Sequence, residues 1–175
     1  MSSASEHHGR DRKDLRVGVV TVSSSRAAAA KDGKDFVDES GDGVCALAGA
    51  RGFRVTFRKL VSDDMNEIRR AFTEGLATGL VDALVFVGGT GAAASDVTPE
   101  AVKPMLKKSL PGFGELFRER SSQKIGVTAA LSRAMAGTVD EVAVFCLPGS
   151  VDGSALGMEM ALELLPHLAG LLGPV

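Results

Sequence analysis

Two acids and a cluster of glycines carry the chemistry this sequence can offer. Gly88-Gly89-Thr90-Gly91 ends an apolar run, and Asp96 follows shortly after it. A Gly-Gly-x-Gly backbone lets a ligand approach the main chain without meeting a Cβ. Its N–H groups, together with the N-terminus of a following helix, suit a phosphate or other anion. A tight turn that needs positive φ uses the same glycines with no ligand. Asp96 stands just before Thr98-Pro99-Glu100, where the Thr98 hydroxyl is suited to cap a helix and Pro99 to open it. As a turn acid, Asp96 complements a helix dipole. As a ligand, it suits Mg2+, which takes hard oxygen donors and bridges protein to substrate phosphates. Asp63 and Asp64 offer a second carboxylate at another junction of loop and helix, although spacing alone favours reading them as acids of a helix N-terminus.

The known nucleotide fingerprints do not fit. A Walker loop needs Gly-Lys-Ser/Thr, whereas Gly91 is followed by Ala92-Ala93. The dinucleotide pattern belongs after a first strand, and this one follows the third. Ser23-Ser24-Ser25-Arg26 offers hydrogen-bond donors for phosphates or a polar heterocycle, with Arg26 as a bidentate clamp, or else forms a solvated turn. Ser25 lacks the G-x-S-x-G elbow of a nucleophile. Cys45 and Cys146 have no CxxC spacing and read as small core residues.

The composition excludes other classes. With 20 Lys+Arg against 22 Asp+Glu the formal charge is -2, so no basic field draws in nucleic acid. The expected partner is not DNA or RNA. No uninterrupted apolar stretch reaches the roughly 20 residues that span a bilayer, and the polar N-terminus has no signal core. A cytoplasmic protein without membrane contact is expected. The length suits a single domain that buries roughly two thirds of its unfolded surface.

The elements that must position these residues follow from hydrophobic patterning. Residues 1–14 are polar and aperiodic and are expected to be a disordered leader, with one domain over 15–175. Residues 15–22 are a continuous β-branched run of the kind that a strand buried on both faces requires, and 81–87 and 141–147 read as two further buried strands. Residues 53–60 alternate, as in a strand with one solvated face. Helices are predicted from Ser40 to Ala50, from near Asp63 with Ile68, Phe72 and Leu76 on one face, from Pro99 to about Lys107, from Pro111, and over 155–172. Residues 27–43 read mostly as a long connection, and 124–139 do not divide clearly. Repeated strand, loop and helix predicts an α/β fold with a mostly parallel sheet and helices on both faces. Ligands in such sheets bind beyond the C-terminal strand ends. Three loops meet there: 23–26, 88–96 and 148–150.

One combination of motifs is more specific than its parts. Gly88-Gly89-Thr90-Gly91 with Asp96-Val97-Thr98-Pro99-Glu100 is joined by Pro111-Gly112-Phe113-Gly114-Glu115, Leu131-Ser132-Arg133 and Leu147-Pro148-Gly149. With "TVSSSR", "DESGD" and "VSDD", these resemble the MoaB/Mog family of molybdenum-cofactor biosynthesis proteins, related to the molybdopterin-binding domains of MoeA and gephyrin. The resemblance runs from about Leu15 to the C-terminus. It implies a three-layer α/β/α molybdopterin-binding fold and Mg2+-dependent adenylylation of molybdopterin by ATP. By motif position, Asp63 and Asp96 match the acids important for catalysis and metal binding. Gly88, Gly89, Thr90 and Gly91 would meet phosphate or pterin groups. Glu115 would order the pocket, and Ser25, Arg26, Pro148, Gly149 and Ser150 would line the remainder. The resemblance also implies a homotrimer or hexamer, and a molybdenum-insertion protein of the MoeA type as a partner.

The chain departs from the family pattern at four places. Val87 stands where Thr is usual, Ser95 where a basic residue is common, Val151 where Pro often follows, and Ser24 where Asp or Thr is common. A non-catalytic molybdopterin-binding or assembly protein of the same pathway is therefore the alternative. A CinA-type domain fits less well, because "AAASDVTP" lacks the Pro-Thr and paired acids of that loop.

Overall fold

A computed structural model describes residues 14–173. The polar leader expected over residues 1–14 lies, apart from Asp14, outside the described residues.

The Val-rich runs become the centre of one sheet because their side chains point alternately into two apolar layers. The strands β1 (Arg16–Val22), β2 (Arg54–Val61), β3 (Ala83–Val87), β4 (Lys108–Ser109), β5 (Met135–Val139) and β6 (Val142–Leu147) form a six-stranded sheet of order β2-β1-β3-β6-β5-β4. The first four in that order run parallel; β5 and β4 are added antiparallel at one edge. The mostly parallel α/β sheet expected from the sequence is therefore present.

The helices are α1 (Ser24–Lys31), α2 (Glu39–Ala50), α3 (Met65–Ala77), α4 (Thr98–Val102), α5 (Pro111–Ile125) and α6 (Val151–Leu172). Val17, Val19, Val85, Phe145 and Leu147 point into one core with residues of α2, α5 and α6. Val20, Val22, Leu84, Phe86 and Cys146 point into the other with α3 and α4. Period-two alternation thus builds a three-layer α/β/α sandwich from strands whose inner residues are buried on both faces. Phe72 of α3 stacks on Phe86 with ring centroids 6.0 Å apart, and Phe113 of α5 tilts against Phe145 at 5.2 Å.

Three boundaries differ from the sequence reading. Residues 23–26 are not an open polar loop: Ser23 caps α1, accepting from the Arg26 N–H, and the four alanines that follow are the best helix formers available. The helix expected from Pro99 to Lys107 ends at Val102 and tightens into a 3₁₀ turn, Lys103–Met105. Pro104 cannot donate and its ring crowds the preceding turn. α5 extends to Ile125, Gly126 breaks it at φ 63°, and a 3₁₀ segment, Gly126–Leu131, leads into β5. Helix α6 is long and apolar enough to cross a membrane by length and composition. Its Met158, Ala161, Leu162 and Leu165 are instead buried in the first core, which makes it a core helix.

Candidate functional site

The sheet order itself picks out a crevice. From β1 the chain crosses to β2 on one side, while β3 lies on the other, so direction reverses between β1 and β3 at their C-terminal ends. Gly88 follows β3 there at φ 116°, a conformation that disfavours any side chain. A Cβ on it would stand 2.2 Å from the Val22 carbonyl oxygen at the end of β1. Its N–H donates to the Leu147 carbonyl at the end of β6 (3.0 Å). A Cβ on Gly149 would in turn lie 3.2 Å from Gly88 Cα. Three strand ends therefore converge on one residue, and the Leu147-Pro148-Gly149 turn packs directly against the glycine loop.

The two predicted acids both border that loop. Asp63 Oδ2 accepts from the Ser24 N–H (2.7 Å) and hydroxyl (2.8 Å), while the Asp63 N–H donates to Ser24 Oγ (2.9 Å). The other oxygen, Oδ1, is 3.3 Å from where a Gly89 Cβ would be. Asp96 Oδ2 accepts from the Ala93 N–H (2.9 Å) and lies 2.7 Å from the Cβ position of Gly91. Side chains on Gly89 or Gly91 would fill the space against these carboxylates. Both acids are half-buried and neither is spent in a salt bridge among the described residues.

Each carboxylate supplies the hard oxygen donors that Mg2+ takes, beside a glycine backbone with no side chain in the way. No group of three or more His, Cys, Asp or Glu among the described residues could hold a metal unaided. The fit is to a cation that takes its other ligands from substrate phosphates and water, as Mg2+ commonly does.

Thr98 does not cap α4. The cap position is Val97, and the buried Thr98 hydroxyl donates to the Gly88 carbonyl (2.8 Å) while its N–H donates to Gly89 (3.0 Å). Both bonds tie the start of α4 to the glycine loop. Arg133, singled out in the sequence only as part of a motif, reaches the same loop. Its Nε donates to the Gly91 carbonyl (2.8 Å) and its Nη2 to that of Asp96 (2.7 Å). Nη1 pairs with Glu100. Burial raises the Glu100 carboxyl, but the Arg133 hydrogen bond, a backbone N–H and the Arg133 charge together hold it below its ordinary value.

The remaining predicted residues are distributed around this centre. Ser25 is exposed on the first turn of α1, its hydroxyl 3.3 Å from that of Ser23. Arg26 donates to the Val37 carbonyl (3.0 Å) and lies 3.7 Å from Asp38, so its guanidinium is engaged by the segment before α2. Asp38, 6% exposed, also accepts from Thr21 (2.6 Å) and Arg58 (3.2 Å). Glu115 is exposed on the wall of a cleft of about 780 Å³ that also reaches Glu100, Arg118 and Arg133. A smaller groove of about 450 Å³ holds Asp96 and shares Glu100 and Arg133 with that cleft. Pro148 and Ser150 line a separate cleft of about 440 Å³ beside α5. Thr90 is buried. Of the departures from the family pattern, Val87 faces the first core, and Ser95 is exposed on the loop.

Neither cysteine is placed as a nucleophile. Burial pushes the Cys146 thiol up. It does the same to Cys45, against an opposing Arg58 charge.

Comparisons with known proteins agree with this architecture. Residues 18–167 match the family model of a probable molybdopterin binding domain. The chain is 36% identical over 168 residues to molybdenum cofactor biosynthesis protein B of Bacillus subtilis, covering 95% of this chain and 94% of that protein. It is 35% identical over 167 residues to a molybdopterin adenylyltransferase of Pyrococcus furiosus, covering 93% and 94%. A crystal structure of a molybdenum cofactor biosynthesis protein B superposes with a TM-score of 0.84 at 38% identity, covering 91% of this chain and 96% of that one.

Proposed function

This chain belongs to the molybdopterin-binding family of MoaB and Mog proteins, and from that membership we propose that it adenylylates molybdopterin with ATP in molybdenum-cofactor biosynthesis. The products are molybdopterin-AMP and pyrophosphate. The observation that carries the reading is the placement of Asp63 and Asp96 against Gly89 and Gly91 of a single loop at the switch point of the sheet.

In this reaction a phosphate oxygen of molybdopterin forms a bond to the α-phosphorus of ATP, and the bond from that phosphorus to the bridging oxygen breaks. The electron pair leaves with pyrophosphate, so no protein nucleophile is needed. Gly88, Gly89, Thr90 and Gly91 bind phosphate or pterin groups through a backbone that excludes side chains. Asp63, oriented by Ser24, and Asp96 hold Mg2+, which when bound supplies positive charge to the phosphates. Glu115 orders the wall of the large cleft. Ser25, Arg26 and the turn Pro148, Gly149 and Ser150 complete the surround, with Arg26 exchanging Asp38 for a phosphate.

We further propose that residues 15–175 act as one domain in a cytoplasmic homotrimer or hexamer, with an insertion protein of the MoeA type as a later partner. Exposed Leu116, Val127 and Leu131 supply apolar surface for self-association.

The test is an anaerobic assay of purified protein with molybdopterin, ATP and Mg2+, following molybdopterin-AMP. Product that requires Mg2+ and is lost in Asp63→Ala and Asp96→Ala is expected. Tight molybdopterin binding without product would replace the enzyme with a non-catalytic assembly protein.

A further inference from the structure

We infer that Arg133 is a positioning residue that sets the geometry of Asp96 and the glycine loop by holding both ends of residues 91–96. The inference rests on the proposed site at this loop. A guanidinium presents its donors in a rigid planar fork, and here each edge has a different task. Nε holds the carbonyl at the start of the segment, Gly91, and Nη2 holds the carbonyl at its end, Asp96. Nη1 is anchored on Glu100 of α4, and the backbone N–H of the same arginine donates to Thr90 (2.8 Å).

Little else restrains the segment. Residues 92–95 are exposed and consist of three alanines and a serine. Within the segment, the Ala93 N–H donates to Asp96 Oδ2 and the Asp96 N–H to the Ala93 carbonyl (3.0 Å). That turn fixes Asp96 relative to Ala93, and only the guanidinium among these contacts fixes the turn relative to Gly91. Arg133 is itself buttressed from α5. A Cβ on Gly114 would stand 2.4 Å from the Ala134 carbonyl oxygen, and Arg118 reaches the Ser132 carbonyl at 3.4 Å. A lysine at this position has one compact ammonium without the planar fork that addresses both carbonyls and Glu100 together.

The experiment compares the full-length chain with Arg133→Ala and Arg133→Lys. Three quantities are read: amide exchange of residues 88–97 without ligand, thermal melting, and molybdopterin-AMP formation against ATP and Mg2+ concentration. Misplacement of a reacting group by about 1 Å costs on the order of 10²-fold in rate. Both variants are therefore expected to lose kcat by about that factor, with a higher half-saturating Mg2+ concentration and a KM for ATP that moves far less. Loop amides should exchange faster, while melting shifts little and the rest of the sheet keeps its protection. Wild-type kcat and Mg2+ dependence in Arg133→Ala would overturn the inference. So would full rescue by lysine, or unchanged loop exchange. If the wild-type chain itself makes no product, the proposed reaction fails, and loop exchange alone then decides the role of Arg133.

Discussion

Ser24 and Asp63 lock together the ends of two adjacent parallel strands. The serine hydroxyl donates to Asp63 Oδ2 at 2.8 Å and accepts from the Asp63 N–H at 2.9 Å. The backbone N–H of the serine donates to the same carboxylate oxygen at 2.7 Å. A residue that opens α1 therefore orients an acid that precedes α3, leaving Oδ1 turned toward Gly89. Because the backbone N–H survives replacement by alanine, the hydroxyl contribution can be isolated.

Ser24→Ala removes two of these three hydrogen bonds and keeps the third. A hydrogen bond to a charged group contributes about 1.5–3 kcal/mol, and less at an exposed residue such as this one. The variant should fold, lose about 1 kcal/mol or less in denaturant unfolding, and form molybdopterin-AMP more slowly at low Mg2+ than at saturating Mg2+. Equal slowing at all Mg2+ concentrations would detach Ser24 from the metal-binding role of Asp63.

Gly88→Ala is predicted to be the most damaging single methyl in the loop. Its φ of 116° is strained for any L side chain, and the added Cβ would meet the Val22 carbonyl oxygen at 2.2 Å. Backbone in such a region costs on the order of 1–3 kcal/mol before the clash is counted. Chemical denaturation should show a loss at or above that range. A variant as stable as the wild type would mean that the ends of β1 and β3 are less tightly joined than this contact requires.

How much of this was legible beforehand depends on the range of the interaction. The buried strands were plain because each is an apolar run that a two-sided sheet can bury, and β3 ending in glycines located the loop. Asp63 and Asp96 each border that loop, the first at Gly89 and the second at Gly91. Helix α1 escaped because its alanines carry no amphipathic pattern, and β5 because Met-Ala-Gly-Thr-Val has a glycine at its centre and few large apolar side chains. Arg133 could not have been assigned, since its bonds to Gly91 and Asp96 cross 42 and 37 residues and end on carbonyl groups, which every residue has. Arg26 met the loop criterion by type, yet a buried carboxylate, Asp38, engages it.

Thr98 offers a test that separates loop support from helix capping. Its hydroxyl is buried and donates to the Gly88 carbonyl, and no side chain accepts from the first-turn N–H groups of α4 as a cap would. Thr98→Val keeps the shape and leaves that carbonyl without its side-chain donor, at a cost of about 1–3 kcal/mol for an unsatisfied buried group. Thr98→Ser keeps the donor and should recover most of the loss in melting experiments. If serine and valine destabilise equally, the methyl packing rather than the hydrogen bond holds the loop.

The Glu100 and Arg133 pair gives the site a pH dependence whose sign is fixed. The carboxyl of Glu100 is held below the ordinary glutamate value in the folded chain, because the hydrogen bond and charge of Arg133 and a backbone N–H outweigh the effect of burial. A lowered folded value means that the pair stabilises the fold at pH above about 4.5, and that this contribution fades as pH falls through the folded value. Glu100→Gln removes the charge at every pH. Its melting temperature should therefore lie below that of the wild type at neutral pH, and the two curves should converge in acid. Both side chains are more than a third exposed, so the gap is small and shrinks further in high salt. A gap that stays constant from neutral to strongly acidic pH would show that Glu100 acts through packing, and that Arg133 holds the loop without the help of its charge.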